Sequence, residues 1–521
     1  MSLQALVRPG TDQVVHKTTA TARLLNVVLR DRLSALDYGS TGDGVLRKLS
    51  SKFTTLAMAQ VVYPFATSLE QSLDWAGIQA VIHMNRNCYV PTGTYQINSS
   101  IVMSTSVSVS GESNGIINRP STFLQMQGNI ACFLYGESFA SGEIQHFYIY
   151  FGNKPTTTTG NDGKIGVLFN GGSTSPGVIK VSHVDVDGAF WGFYDNSGNY
   201  LAEFETCWVR RSMHGFYKAN GTTINWRNCY CMDVNSAWYV VNCSSPQWSN
   251  CGADGVTVDG SNYSFESAAV YLQGCKSFVI NGWAGEANVI KNSNAVDSAY
   301  LKLVDCLGTI TGMYGHGTSM QSTLNGANIA WISCLSNSKV SLHDSNDSFL
   351  NDEAITYTGT GAFVTSLYAD ATSKLFVHGG RYKAPVGGAP AVSTAASGNV
   401  ILDDTSTTGL LGGSVYYESR SSAGLSVPCV YTAKGSKACA AGVSTALFDL
   451  PSKDGAYLIT VYAPGSGNNY TAMQAAVVTG GTVFLAAVKA APFLAFASSG
   501  YTVGITSSGN TTVNWTYTMI G

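Results

Sequence analysis

The stretch "INWRNCYCMDVNSAWYVVNCSSPQWSNCGADGV", residues 224 to 256, holds four cysteines and two candidate acid–base aspartates. Thiols such as Cys229, Cys231, Cys243 and Cys251 bind metals, pair as disulfides or pack as small apolar side chains. Carboxyls such as Asp233 and Asp254 move protons when they stand near a reacting bond. A zinc site asks for Cys or His pairs with two to four residues between them, and only "CYC" comes near. Disulfides ask for an oxidising compartment and usually a small domain. Packing is therefore the expected role of these thiols, and no metal or cofactor is expected.

Their spacing points to the element that carries them. A bulky apolar residue, two further residues and then Cys recur in "FETC", "WRNC", "WSNC", "LQGC", "LVDC" and "WISC", ending at Cys207, Cys229, Cys251, Cys275, Cys306 and Cys334. The steps are 22 (229−207), 22 (251−229) and 24 (275−251), and the next two, 31 and 28, read as one period with a loop inserted. A period in the twenties marks a stacked repeat. Between the marks lie short alternating runs such as "VIKVSHVDV", "AWYVV" and "AYLKLV", separated by Gly, Asn, Asp and Ser. One turn of a parallel β-helix has this length, each rung ~4.8 Å above the last. In that geometry the apolar residue ends one strand, two residues round a bend, and Cys opens the next strand facing inward. Asn228 and Asn250 then share a bend position. Glu205 and Arg227, two residues before Cys on neighbouring rungs, are expected to stack as an ion pair.

The bulk numbers agree. The 521 residues suffice for two or three domains, and charged residues make up 12%, half of an ordinary soluble domain's ~25%. With 56 Gly and recurrent Ser, Thr and Asn, this suits strands and turns with a surface polar through hydroxyls and amides. A net charge of -3 without any Lys/Arg run gives no footprint for nucleic acid. "MSLQALVRPGTDQVVHKTT" lacks the apolar run of a secretory signal peptide. "AAVVTGGTVFLAAVKAAPFLAFA" (475 to 497) is interrupted by Gly480, Gly481, Lys489 and Pro492 and reads as a pair of strands, so no membrane contact is expected. No phosphate loop, nucleophile elbow or metal-ligand motif occurs.

Along the chain, residues 1–60 read as an irregular segment. Residues 61–110 read as a capping helix with the first strands, the helix opening on a capping box of Thr67 and Glu70. Residues 111–410 carry the strand–turn rhythm, with a polar excursion at 152 to 164. Residues 411–521 carry longer alternating strands; in "TTVNWTYTMI" Val513, Trp515, Tyr517 and Met519 share one face, as in an antiparallel β-sandwich. The expected fold is all-β: a right-handed parallel β-helix with a short N-terminal cap containing one helix and a C-terminal sandwich.

"LDYGSTGDG" (36 to 44), "SLDWAGIQAVI" and "VPTGTYQI" (90 to 97) together resemble the pectate-lyase-like entry of bacteriophage tailspikes. The resemblance is specific over residues 36 to 97 and architectural beyond; the sequence departs from it where "VLRKLSSKF" replaces the acidic residues that usually follow "GDG". It implies a capsule depolymerase on the virion tail. Such a protein is a homotrimer that binds and cleaves bacterial surface polysaccharide, and it attaches through another phage tail protein by its N-terminal segment. The sandwich in this family serves trimerisation or carbohydrate binding. The family's catalytic residues vary in position, so none transfers by motif.

With Cys inward, the first and third residues after it face outward. Trp208, Tyr230 and Lys276 form one expected column; Arg210, Met232, Asp254 and Phe278 form the next, with Asp233 beside it one rung below Asp254. Aromatics would stack on sugars, Arg210 would meet an acidic sugar, and the carboxylates would cleave a glycosidic bond by hydrolysis. Glu286 is expected in a loop beside Trp283, which would raise its pKa and suit it to act as general acid. Tyr314 and His316, in the Gly-flanked "GMYGHG", are expected to bind substrate in a loop, and His214 is expected to be structural. The expected catalytic residues are thus Glu286, Asp254 and Asp233. Alternatives are a lyase acting by β-elimination at a uronic acid and a non-enzymatic adhesin. A secreted pectate lyase is weaker, since no Asp cluster for calcium is evident.

Overall fold

The computed structural model describes two short paired strands at 13–14 and 23–24, and residues 33–403. From that span it leaves out 105, 114–119, 137–140, 171–176, 260–263, 292–296, 322–327, 346–363, 384–389 and 395–398; beyond 403 it describes the backbone of the short strands Ser406–Thr408, Leu410–Leu411 and Tyr416–Tyr417 and of the strands named below. The chain divides into two compact units, Met1–Thr257 and Val258–Gly521.

The first unit opens on a cap, and the three segments of the tailspike-like signature meet there on one side chain. Asp74 is 2% exposed. Its carboxylate accepts the N–H groups of Thr41 (2.6 Å), Gly42 (3.3 Å) and Gln96 (2.9 Å). Gly77 lies against Ser40, where a Cβ would come within 2.6 Å of the Ser40 backbone nitrogen. Gly42, at φ +62°, packs beneath the Tyr95 ring. The cap helix runs over Leu73–His83 and is capped by Ser72, whose hydroxyl accepts from Trp75 N–H at 3.1 Å. It does not begin at Thr67, because Glu70 is held outside by Lys48 and its backbone lies in the turn before the helix. A second helix, Leu56–Val62, starts in the segment expected to be irregular, so among the described residues the cap holds two α-helices.

Above the cap the strands are parallel. One sheet stacks Ile101–Met103, Ala131–Tyr135, Ile165–Phe169, Trp191–Asp195, His214–Ala219 and Ser236–Val241. The remaining flank is bent. Ser141–Tyr150 and Val178–Asp187 run through the bend as long strands, and higher rungs break there into Ala202–Glu205 with Trp208–Arg210 and Asn225–Arg227 with Tyr230–Met232. The bend residues His146, His183, Thr206, Asn228 and Asn250 have φ between +52° and +64°. Asn enters this left-handed region more readily than most residues, which explains "RNC" and "SNC". The bend N–H groups of Thr206 and Asn228 stay in the ladder, donating to Arg227 O (2.8 Å) and Ser249 O (2.9 Å). Inside, aromatic rings stack at the rung spacing: Phe193 on Phe216 at 4.7 Å and Phe216 on Trp238 at 4.9 Å, with Trp226 on Trp248 at 4.8 Å. Glu205 and Arg227 are register partners with their charges 3.9 Å apart, as expected.

Cys207, Cys229 and Cys251 are buried in this interior, and the ten described cysteines are free thiols. Burial pushes the Cys229 and Cys251 thiols well above their ordinary pKa. Each protonated thiol donates to a carbonyl of the rung below: Cys229 to Phe204 O and Cys251 to Trp226 O, both at 3.4 Å.

In the second unit, Ala268–Gln273, Ser298–Val304, Ile329–Leu335 and Val364–Ala369 stack as one parallel sheet. Lys276–Glu286, Leu307–His316, Lys339–His343 and Lys374–His378 stack in another. Cys275 and Cys306 continue the thiol pattern, since Leu307 N–H donates to Cys275 O and Lys339 N–H to Cys306 O. Cys334 does not belong to it. It lies within the strand Ile329–Leu335 as the register partner of Leu303. The rung above Cys306 is completed by Ser338, whose hydroxyl contacts Cys306 N at 3.0 Å and Leu303 O at 3.2 Å. Cys306→Ser is accordingly expected to cost no more than about 1 kcal/mol, because the hydroxyl can donate to Leu272 O as the thiol does at 3.3 Å. Cys306→Val removes that donor and is expected to cost more; urea denaturation of both variants checks the order.

The C-terminal strands are antiparallel, as expected. Thr432–Cys439, Thr511–Met519, Gly455–Pro464, Asn469–Thr479 and Thr482–Lys489 form a five-stranded sheet; Ser444–Asp449, Thr502–Ser507 and Leu494–Ser499 form a three-stranded one. Val478 pairs with Val483, so the most apolar late stretch is strand rather than helix. Among the described residues no helix is long and apolar enough to cross a membrane. The side-chain faces expected of Val513, Trp515, Tyr517 and Met519, and most of residues 1–32, lie outside the described residues.

Candidate functional site

Two outward columns climb the bent flank of the first unit. One carries Phe123, Tyr148, Asp185, Trp208 and Tyr230 on successive rungs. The other carries Tyr150, Asp187, Arg210, Met232 and Asp254. Trp208 and Tyr230 lie ring on ring at 5.0 Å, and Phe123 and Tyr148 at 4.9 Å. The thiol period thus places Trp208, Tyr230, Arg210 and Asp254 as expected.

Between the two aromatic pairs stand Asp185 and Asp187, which sequence reasoning did not single out. Both are buried, at 2% and 1% exposure. Asp185 binds Arg210 Nε at 2.9 Å, and the Arg210 guanidinium lies over the Trp208 ring, 4.5 Å from its centre. Asp187 accepts from Arg211 Nε at 2.9 Å and from the Tyr148 hydroxyl at 2.6 Å. The hydrogen-bonded Asp187 carboxylate raises Arg211 above its ordinary value. The alternation in "HVDVD" put both aspartates on one face, but only the register sets them one rung below Trp208 and Arg210.

Asp233 and Asp254 come together across one rung. Met232 is the partner of Asp254, and Asp233 N–H donates to Asp254 O at 3.0 Å. Asp254 ends its strand, half-buried; Asp233 occupies the turn after the strand Tyr230–Met232, at φ +53°, and is exposed. Lys154, from the excursion 152–164, reaches it, its ammonium 2.9 Å from both the carboxylate and the carbonyl of Asp233. Across the bend, Arg227 lies 3.6 Å from Glu203 and 3.9 Å from Glu205, and Lys180 lies 3.8 Å from Glu143.

The other expected residues belong to the second unit. Glu286 closes the strand Lys276–Glu286 rather than sitting in a loop, and is exposed. Trp283 is not a sugar platform. It is 3% exposed, its indole N–H donating to the Tyr300 hydroxyl at 2.9 Å. Three residues apart on one strand, Trp283 and Glu286 face opposite sides, so the shielding expected of the indole is not there. Tyr314 and His316 are likewise on a strand, Leu307–His316, their rings parallel at 6.3 Å. His316 is the register partner of Glu286, which brings Glu286 beside Tyr314 and His316, a grouping that sequence reasoning did not make. Phe278, expected outward, is fully buried, because Ser277 at φ +56° shifts the register between Lys276 and Phe278. Lys276 is ion-paired to Asp305 at 2.9 Å.

His214 is structural. It is 0% exposed, between Trp191 (4.3 Å) and Phe190 (5.1 Å), and burial pushes its pKa down to about 3. A folded-state pKa below the unfolded one means that the unfolded chain takes up a proton which the fold refuses. Stability should therefore fall as pH drops from about 6.5 towards 3, by up to about 1.4 kcal/mol per unit. Denaturation midpoints at pH 7 and 5 check this, and His214→Phe should flatten the slope.

No protein-family model matches the chain, and no curated protein does. Among solved structures it is similar to the tailspike gp61 of Pseudomonas phage phi297, at 12% identity and TM-score 0.39 over 94% of this chain and 99% of that one. It is also similar to the tailspike gp49 of Acinetobacter baumannii bacteriophage Fri1, a capsular polysaccharide depolymerase. Identity there is 12% and TM-score 0.34, over 98% and 90%. The catalytic unit of a GH87 alpha-1,3-glucanase from Streptomyces thermodiastaticus matches at 11% identity and TM-score 0.44, over 75% and 66%. The parallel β-helix itself rests on the strand register of this chain, and these are the kinds of protein it is similar to.

Proposed function

We propose that this chain is a phage tailspike that binds and cleaves a bacterial surface polysaccharide by endo-acting glycoside hydrolysis. The observation that carries the reading is the flank of the first unit. There, aromatic rings repeat along the β-helix axis beside a pair of carboxylates, Asp233 and Asp254, on adjacent rungs. A long glycan fits such a surface because its own repeat can follow the rungs. Asp254, half-buried, is the general acid at the leaving oxygen. Asp233, ion-paired with Lys154, is the carboxylate that acts as nucleophile or directs water. Carboxyls ~5 Å apart give retention and ~6.5–9.5 Å inversion, so the anomer released identifies which. Residues 1–60 serve attachment to another tail protein, and residues 411–521 serve homotrimer formation or carbohydrate binding.

A second reading is favoured by the Tyr314–His316–Glu286 trio of the second unit. A tyrosine and a histidine on one outward face beside a carboxylate could abstract a proton and drive β-elimination at a uronic acid. Incubation with a panel of capsular polysaccharides separates the readings. New reducing ends without ultraviolet absorption indicate hydrolysis, and unsaturated uronate absorption indicates elimination. Binding without any fragments would leave an adhesin and remove both enzymatic readings.

A further inference from the structure

The charges on the first unit's flank narrow the class of sugar that it can take, given the glycan-binding reading above. Arg210 was expected to meet an acidic sugar. Its guanidinium is instead held by Asp185, which is almost wholly buried and cannot be displaced without leaving an unpaired charge. Arg211 is held in the same way by Asp187. Lys154 is paired with Asp233, Lys180 with Glu143, and Arg227 with both Glu203 and Glu205. These five cations thus face six carboxylates, so the named charges sum to −1 (5 − 6), and Asp254, protonated as the general acid, adds none. A glycan acid laid along this flank would meet guanidinium groups already neutralised and a surplus of like charge, a juxtaposition that disfavours binding.

We infer that the sugar residues seated on the Trp208–Tyr230 shelf carry no negative charge: they are neutral hexoses or N-acetylhexosamines. An uncharged pyranose lays its C–H groups along the outer edges of the aromatic pair, whose half-buried rings face each other at 5.0 Å with the Arg210 guanidinium over Trp208. Its hydroxyls are both donors and acceptors, so they can bridge an Arg–Asp pair without breaking it, and such charge-assisted bonds are the stronger kind. The buried aspartates act as positioning residues. Asp185 fixes the Arg210 plane over Trp208, where it borders the shelf, and Asp187 holds Arg211, so that neither swings out as a free cation.

The test is binding of the full-length protein to immobilised oligosaccharides. Neutral hexose and N-acetylhexosamine chains are compared with chains bearing uronate, sialate or sulfate, at low and high salt. Expected are neutral ligands, an affinity unchanged by salt, a loss of tenfold or more in Trp208→Ala and recovery in Trp208→Phe. Tyr230→Leu stands in where Trp208→Ala does not fold. Capture only of acidic chains, with salt-sensitive affinity that depends on Trp208, overturns the inference but leaves the glycan-binding reading intact. Neutral binding indifferent to both shelf residues overturns it too, by placing the sugar elsewhere. No binding of any chain overturns both.

Discussion

Lys218→Met is expected to destabilise the first unit by about 3–5 kcal/mol, the usual effect of removing one partner from a buried ion pair. Lys218 and Asp195 point into the β-helix from adjacent rungs, and each side chain is 1% exposed. The ammonium donates to Asp195 at 2.9 Å and to Ser197 O at 2.7 Å. Asp195 in turn accepts from Ser197 N–H at 2.9 Å. The pair therefore ties the chain after the strand Trp191–Asp195 back to the rung above. Without the lysine, a carboxylate is left in an apolar interior with part of its hydrogen bonding and no countercharge. Replacing both partners, Asp195→Leu with Lys218→Met, should recover most of the loss, because no charge is then buried. Urea denaturation followed by tryptophan fluorescence measures all three. A Lys218→Met protein within about 1 kcal/mol of the parent would mean that the interior is wetter than its packing indicates.

Asp254→Asn is expected to lower the rate of polysaccharide cleavage by about 10²–10⁴-fold, the range for loss of a positioned acid–base group. Asparagine keeps the shape and the strand end but cannot deliver a proton. Binding of intact polysaccharide should change little, since the aromatic shelf formed by Trp208 and Tyr230 is untouched. Release of reducing ends under saturating substrate, beside a binding isotherm, separates the two effects. Asp233→Asn should fall in the same range, because it removes the second carboxylate and leaves Lys154 without its countercharge, with only the Asp233 carbonyl and the new amide to accept from it. An Asp254→Asn variant that keeps more than about a tenth of the parent rate would move the chemistry elsewhere. Glu286→Gln is then the variant to compare, because Glu286 faces His316 on a different unit.

Much of this is legible in the sequence because a β-helix stacks like on like. A thiol that fits one rung fits the next, and the 22-residue steps among Cys207, Cys229 and Cys251 report a physical repeat. From that repeat the outward positions of Trp208, Tyr230, Arg210 and Asp254 follow by alternation. The same period joins Asp195 to Lys218, 23 residues on (218−195). Asp74, Gly77 and Gly42 lie in segments whose resemblance is specific, since each is held by backbone contacts that tolerate little change.

Register and burial were decided elsewhere. One residue at positive φ, Ser277, turned Phe278 inward, and a longer turn after Leu335 passed the column from Cys306 to Ser338 instead of Cys334. Alternation alone states that two positions differ in face; it does not state how many residues a bend consumes. Trp283 went into the core because its indole found the Tyr300 hydroxyl, a partner seventeen residues away that no local pattern indicates. The cations were visible in the sequence as charges, but Asp185 meets Arg210, and Asp187 meets Arg211, only when rungs stack. The amino-acid sequence thus sets the repeat, the cap and the inward or outward alternation, which depend on neighbours along the chain. The pairing of charges across rungs, and with it the kind of sugar proposed for the flank, depends on contacts that exist only after the chain has wound.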